Sequence, residues 1–242
     1  MGHLMVAGYR FPSQAIERIC DINDSKELWK VVIWVHHKWN VLINNKEHFE
    51  MIYVDKAGGD IHVIIPVAHI SVFDEKLLFD HTYTIANFKV QPNVSTFRPS
   101  VHKFMLKFTG GTSVGDDNKH EIHAKPLVFT GFSEIINDNY NNDLLIDVIG
   151  MVEGIGYYKC SRFIKFTQDR DNSSDPTVLL LQYEKVKEEG GKFLLSVINT
   201  YNVMLICLDA GFALIKDFID CMPKDFIVIF SGHMGSSSQL SS

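Results

Sequence analysis

The chain has 242 residues, of which 46% are hydrophobic and 21% charged, with a net charge of −6. This composition supports a packed core rather than a disordered chain, and the length suits one large domain or two small ones. An acidic balance argues against a protein that merely coats nucleic acid by charge.

The charge is unevenly spread. Leu28 to Phe108 holds nine Lys/Arg against seven Asp/Glu, with seven histidines besides. Leu127 to Cys221 holds eight against fourteen, so only the first half tolerates a phosphate chain easily. The four cysteines, Cys20, Cys160, Cys207 and Cys221, form no C-x-x-C pair, which disfavours a ribbon-type zinc site. No apolar run has the length of a membrane span and the first residues do not read as a signal peptide, so a soluble intracellular protein is expected.

Ser13 to Ile22 is a candidate helical lead-in. A long strand is expected from Leu28 through Trp39, with Trp29, Val31, Ile33 and Val35 on one face. Lys30, Val32, Trp34, His36 and Lys38 fall on the other. Strict alternation puts Trp39 on the Val31 side, among core residues, unless a kink turns it outward. A second strand, Phe49–Val54, meets a third, Ile61–Ile65, across Asp55-Lys-Ala-Gly-Gly-Asp60, where glycine supplies positive φ. Pro66 stops that strand because it has no N–H for the ladder.

Val67 to Leu78 has helical spacing. Strands Thr82–Val90 and Val101–Thr109 come next, separated by a proline-stiffened loop that carries Phe97 and Arg98. The order strand, strand, strand, helix, strand, strand is that of a small closed OB-type barrel. Such barrels bind single strands by stacking bases on aromatic side chains.

A polar stretch, 113–125, is the expected linker between a first domain, 25–112, and a second, 126–224. A lead-in (1–24) and a loose Gly/Ser-rich tail (225–242) flank them. In the second domain, strands are expected at Leu144–Val152 and Thr177–Tyr183. A turn at Glu188–Lys192, a return strand over Phe193–Ile206 and a helix over Phe212–Cys221 complete it. The sequence has no G-x-S-x-G elbow, Walker loop or H-E-x-x-H helix, so no enzyme is expected. No cofactor or metal is expected either; His36 and His37 are adjacent and would face opposite sides of a strand.

The words ELWKV, IYVDKAGGDIHVII, YTIANF, QPNVSTFR, GTSV, GFSEI, DLLIDVIG and LLLQYEKVK span most of Ser25 to Met222 in order. In these the chain resembles the large DNA-binding subunit family of replication protein A, in its plant-type form with tandem OB domains. The resemblance implies an all-β dominated fold with two tandem OB-fold domains, five-stranded Greek-key barrels. The second is shortened, because the passage from Gly156 to Val178 is too brief for a strand pair and barrel helix. A substitute strand is expected over Arg162–Phe166, and no site residue carries over there.

In the first domain the resemblance places stacking aromatics on Trp39 and Phe97. A third family aromatic falls on Pro66, which removes one platform. A basic position falls near His37 and Lys38, and another on Gln91. Arg98 and Lys103 complete the candidate nucleic-acid-binding set.

The resemblance implies single-stranded DNA binding in replication, repair or recombination, in the nucleus. Other replication protein A subunits are expected partners, although the zinc-bearing trimer-forming domain of the family is not recognised here. No membrane or small-molecule partner is expected. Two alternatives stand beside this reading. One is a degenerate paralogue whose OB module contacts proteins, and the other is a binder of single-stranded RNA.

Overall fold

The structure is a computed structural model that describes residues 15–43, 46–94, 96–117, 122, 125–152, 177–188, 195–199, 205–208 and 213–221. It is mostly β and divides into two compact units, 1–126 with 142–144, and 127–141 with 145–242.

The first unit is a seven-stranded sheet in the order β5-β6-β3-β2-β1-β4-β7. The strands are β1 (Lys30–Ile43), β2 (Lys46–Val54), β3 (Asp60–Ile65), β4 (Thr82–Ala86), β5 (Lys89–Pro92), β6 (Phe104–Lys107) and β7 (Ser113–Asp116). All neighbours pair antiparallel except β3 and β6, which run parallel. The expected strand Thr82–Val90 is two strands, because the chain bends at Asn87 with φ 61°. The Asn87 N–H is held by the Trp29 carbonyl and its own carbonyl by the Thr112 hydroxyl. That bend carries the chain from pairing with β1 to pairing with β6, so β5 at one edge of the sheet follows directly on β4 near the other, and the sheet curls on itself.

The core inside this curl contains Val31, Ile33, Val35, Met51, Tyr53, Ile61, Val63, Ile65, Ile85, Leu106 and Phe108. Each large aliphatic or aromatic side chain so buried contributes roughly 1.5–3 kcal/mol. The helix α1 (Val67–Phe73) plugs one end, with Phe73 edge-on to Phe108 at 4.9 Å. It is shorter than the expected Val67–Leu78. Its last turn runs into a cap where the Lys38 ammonium collects the carbonyls of Asp74 and Leu77.

At the β2–β3 turn, the buried Asp55 carboxylate accepts from the N–H groups of Ile19, Ala57 and Gly59, at 2.6, 3.0 and 2.9 Å. Gly58 takes φ 79°, which a residue with a Cβ adopts only under strain. The lead-in is a 3-10 turn, Ile19–Asp21, preceded by a bridge from Glu17 to Val31, rather than a helix over Ser13–Ile22. The stretch expected as a linker, 113–125, begins instead with β7, which extends the sheet by pairing with β4.

The second unit is built on one long strand, β9 (Thr177–Lys187), to which β8 (Ile146–Val152), β10 (Ser196–Asn199) and β11 (Leu205–Leu208) all pair antiparallel. Two apolar clusters sit on it. Ile135 of helix α2 (Phe132–Ile136) packs with Ile146, Val148 and Val186. Ile215 of helix α3 (Ala213–Cys221) packs with Val178 and Leu180. The expected substitute strand at 162–166, most of the turn at 188–192 and the tail at 225–242 lie outside the described residues.

Candidate nucleic-acid interface

Strand β1 decides the site. Val35 pairs with Tyr53, and the next pair is His37 with Ile52, so His36 is the extra residue of a β-bulge. A bulge inverts the alternation beyond it. Before it, Val31, Ile33 and Val35 point into the core. After it, the inward rows are Lys38–Met51–Val63 and Asn40–Phe49–Ile65. The outward rows are His37–Ile52–His62 and Trp39–Glu50–Ile64. Trp39 is therefore turned to the outer face of β1–β3. By the same bulge His36 and His37 share the outer face rather than facing opposite sides.

Trp39 is the centre of that face. Its ring stacks on His62 with an interplanar angle of 8° and a centroid separation of 6.0 Å, and His37 lies 5.4 Å away. Trp39 is only 5% exposed, so the outer face is covered where it carries this ring. Beside it, the Glu50 carboxylate bridges His48 Nε2 at 2.8 Å and His62 Nε2 at 3.1 Å. Burial alone would raise the Glu50 carboxyl. The hydrogen bonds and charge of His62 and His48 outweigh it and hold the group below its ordinary value. His36 is pushed down to about 4, first by burial and then by the charges of His37 and Lys125, so it stays neutral at physiological pH.

The remaining candidates are placed differently. Lys38 points inward, and its ammonium meets the Asp74 carboxylate at 2.6 Å and the Asp74 and Leu77 carbonyls at 3.0 and 3.2 Å. Three donors face three acceptors, so Lys38 is a helix-end buttress and not a phosphate contact. The same bulge that frees Trp39 from the core sends Lys38 into it. Phe97 is half-buried on the β5–β6 loop in a left-handed conformation, φ 63°.

Arg98 is a bridge residue, with its N–H on the Asp143 carbonyl at 2.7 Å and its guanidinium 3.9 Å from the Asp143 carboxylate. Its side chain is 21% exposed, and the buried Nε has no hydrogen-bond partner among the described residues. The loop is also tied to β3, because Ser100 Oγ donates to the Asp60 carbonyl. Lys103 is exposed at the end of that loop and suits a phosphate. Pro66 caps α1, and the Gln91 amide is occupied by the Met105 sulfur. Residue spacing left His48, Glu50 and His62 unremarked, because only pairing across β1–β3 brings them beside Trp39.

Comparison with known proteins adds a family. A model described as "Domain of unknown function DUF223" matches residues 20–138. The match spans just under half of the chain. It covers the whole β1–β7 sheet. None of the curated protein sequences compared matches the chain. Among solved structures, a replication protein A heterotrimer bound to single-stranded DNA matches with TM-score 0.52 at 14% identity. The match covers 85% of this chain and 55% of that one, so the chain spans about half of its length. At this identity the likeness establishes the OB fold and nothing finer. DNA-binding domain A of replication protein A from S. cerevisiae matches at 17% identity, with TM-score 0.35, over 44% of this chain and 96% of that one. A murine DNA-binding protein bound to double-stranded DNA matches at 12% identity, with TM-score 0.36, over 74% and 94% of the two chains.

Proposed function

We propose that the first unit binds unpaired DNA on the outer face of β1–β3, without sequence preference and without chemistry on the strand. The observation that carries this reading is the β1 bulge. A long strand of a curled OB sheet spends a register shift to bring Trp39, His37 and His62 together outside the core. Base stacking on Phe97, and on Trp39 once the groups over it move aside, would supply the affinity, with Lys103 and the half-buried guanidinium of Arg98 as phosphate donors. The replication protein A complex with single-stranded DNA supports the reading at the level of fold. Roles in replication, repair or recombination, a nuclear location and association with replication protein A subunits belong to the same proposal.

The test is anisotropy of a labelled single strand of roughly 30 nucleotides, several times the site of one OB fold, titrated at two salt concentrations. Loss on the order of 2–5 kcal/mol is expected for Trp39→Ala/Phe97→Ala, from two stacked bases. Absence of wild-type binding at low salt would sink the proposal.

A second reading has its own observation. Trp39 is covered, Lys38 is spent on α1, and Arg98 lies against Asp143. These favour an OB module that contacts protein, and salt-insensitive behaviour with no affinity for single strands would support it. Competition by RNA separates the DNA and RNA versions of the first reading.

A further inference from the structure

The outer face of β1 continues on the near side of the bulge. Val31, Ile33 and Val35 are fully buried, so Trp34 between the last two points outward. It pairs with Val54 on one side and Thr82 on the other, and it is half-buried and outside the apolar core. Its indole Nε1 donates to Asp80 Oδ1 at 3.1 Å, and Asp80 sits in a left-handed bend, φ 65°, just before β4. The His36 ring lies 5.2 Å from the indole. Because the bulge keeps His36 and His37 on one face, the rings of Trp34, His36, His37, Trp39 and His62 succeed one another along that face.

A tryptophan needs a reason to sit outside a core. Here its N–H is held by Asp80 and its ring lies beside His36, so less rotamer freedom remains to be lost when a flat ligand lands on it. Trp34 is also the more accessible of the two outward indoles, since Trp39 is covered.

We propose that Trp34 is a second base-stacking platform, so that an unpaired strand runs along β1 across the bulge. The inference rests on the single-strand reading above and extends its path. The contact is with a base and not with phosphate, because the flanking groups are acidic. Asp80 holds the indole, and Asp117 accepts from Thr84 on the neighbouring strand. The strand's charge is carried elsewhere, by Lys103 and Arg98.

The chain has three tryptophans, Trp29, Trp34 and Trp39. Trp29 is buried in the core, out of reach of a bound strand, so the quenching caused by binding reports the other two. The full chain is titrated with fluorescein-labelled oligothymidylate of about 20 nucleotides, longer than one OB site, and followed by both indole quenching and label anisotropy. Trp34→Phe is expected to lose the larger part of the quenching while still binding, whereas Trp39→Phe loses only the smaller part. Trp34→Ala is expected to weaken binding roughly 5- to 150-fold, the range for one stacked base.

Quenching retained in Trp34→Phe, or wild-type affinity in a folded Trp34→Ala, overturns the platform and leaves the Trp39 site standing. Should circular dichroism show that Trp34→Ala does not fold, the quenching of Trp34→Phe decides alone. No binding by the wild type overturns both proposals.

Discussion

Each unit places a glutamate on a long strand, and the two are handled in opposite ways. Glu50 on β2 lies between His48 and His62, and hydrogen bonds from both hold its carboxyl below its ordinary value. Glu184 on β9 is 1% exposed, and its Oε1 is buried with no hydrogen-bond partner among the described residues. Burial first, and the nearby Asp147 charge second, push it up to about 7. A buried acid with donors becomes a stabilising charge, while one without them keeps its proton. The first sheet therefore spends its polar groups on an ordered outer face beside Trp39. The second carries a buried acid whose Oε1 no group among the described residues satisfies.

The largest effect should come from removing the second arrangement. Glu184 has a folded value near 7, above its ordinary 4.5. The unfolded chain therefore releases the proton first, and stability falls as pH rises from about 4.5 to 7. Glu184→Gln should stabilise the chain at pH 8 by on the order of 1–3 kcal/mol, with the gain fading toward pH 4.5. Urea midpoints across that range read it, and a pH-independent difference would contradict the contrast.

Glu50→Gln should do the reverse, more weakly. Its carboxyl is depressed, so its contribution is present above its ordinary value and disappears as pH falls through the folded one. A loss of about 1–2 kcal/mol at pH 7 is expected, the cost of leaving buried histidine nitrogens short of an acceptor. The loss should shrink in acid. A variant as stable as wild type at pH 7 would show that the bridge is incidental.

The smallest effects separate two lysines that look alike in the sequence. Lys38→Met should cost about 1 kcal/mol of stability, through the orphaned Asp74 and Leu77 carbonyls, and leave the salt dependence of binding unchanged. Lys103→Ala should leave stability within about 0.5 kcal/mol and lower the salt slope by roughly 0.7 if the lysine meets a phosphate. The opposite assignment of the two slopes would exchange their roles.

Local pattern was enough to specify the β1–β3 meander, its glycine turn and the helix before the fourth strand. Alternation of Val31, Ile33 and Val35, paired glycines and Pro66 are short-range signals, and short-range sterics and burial are what they report. The same kind of signal carried the OB character of the first unit and the long apolar strand that became β9.

What those strands present to solvent depended on pairing between distant segments. The bulge at His36 has no marker in the one-dimensional pattern, because it is set by the register of β1 against β2. One residue of slip reverses every later side chain. That slip moved Trp39 out of the core, sent Lys38 into it and set His36 and His37 on one face. The kink at Asn87 and the strand Ser113–Asp116 were hidden for a related reason. Each exists because a distant partner, Trp29, Thr112 or β4, supplies the hydrogen bonds that local sequence does not specify.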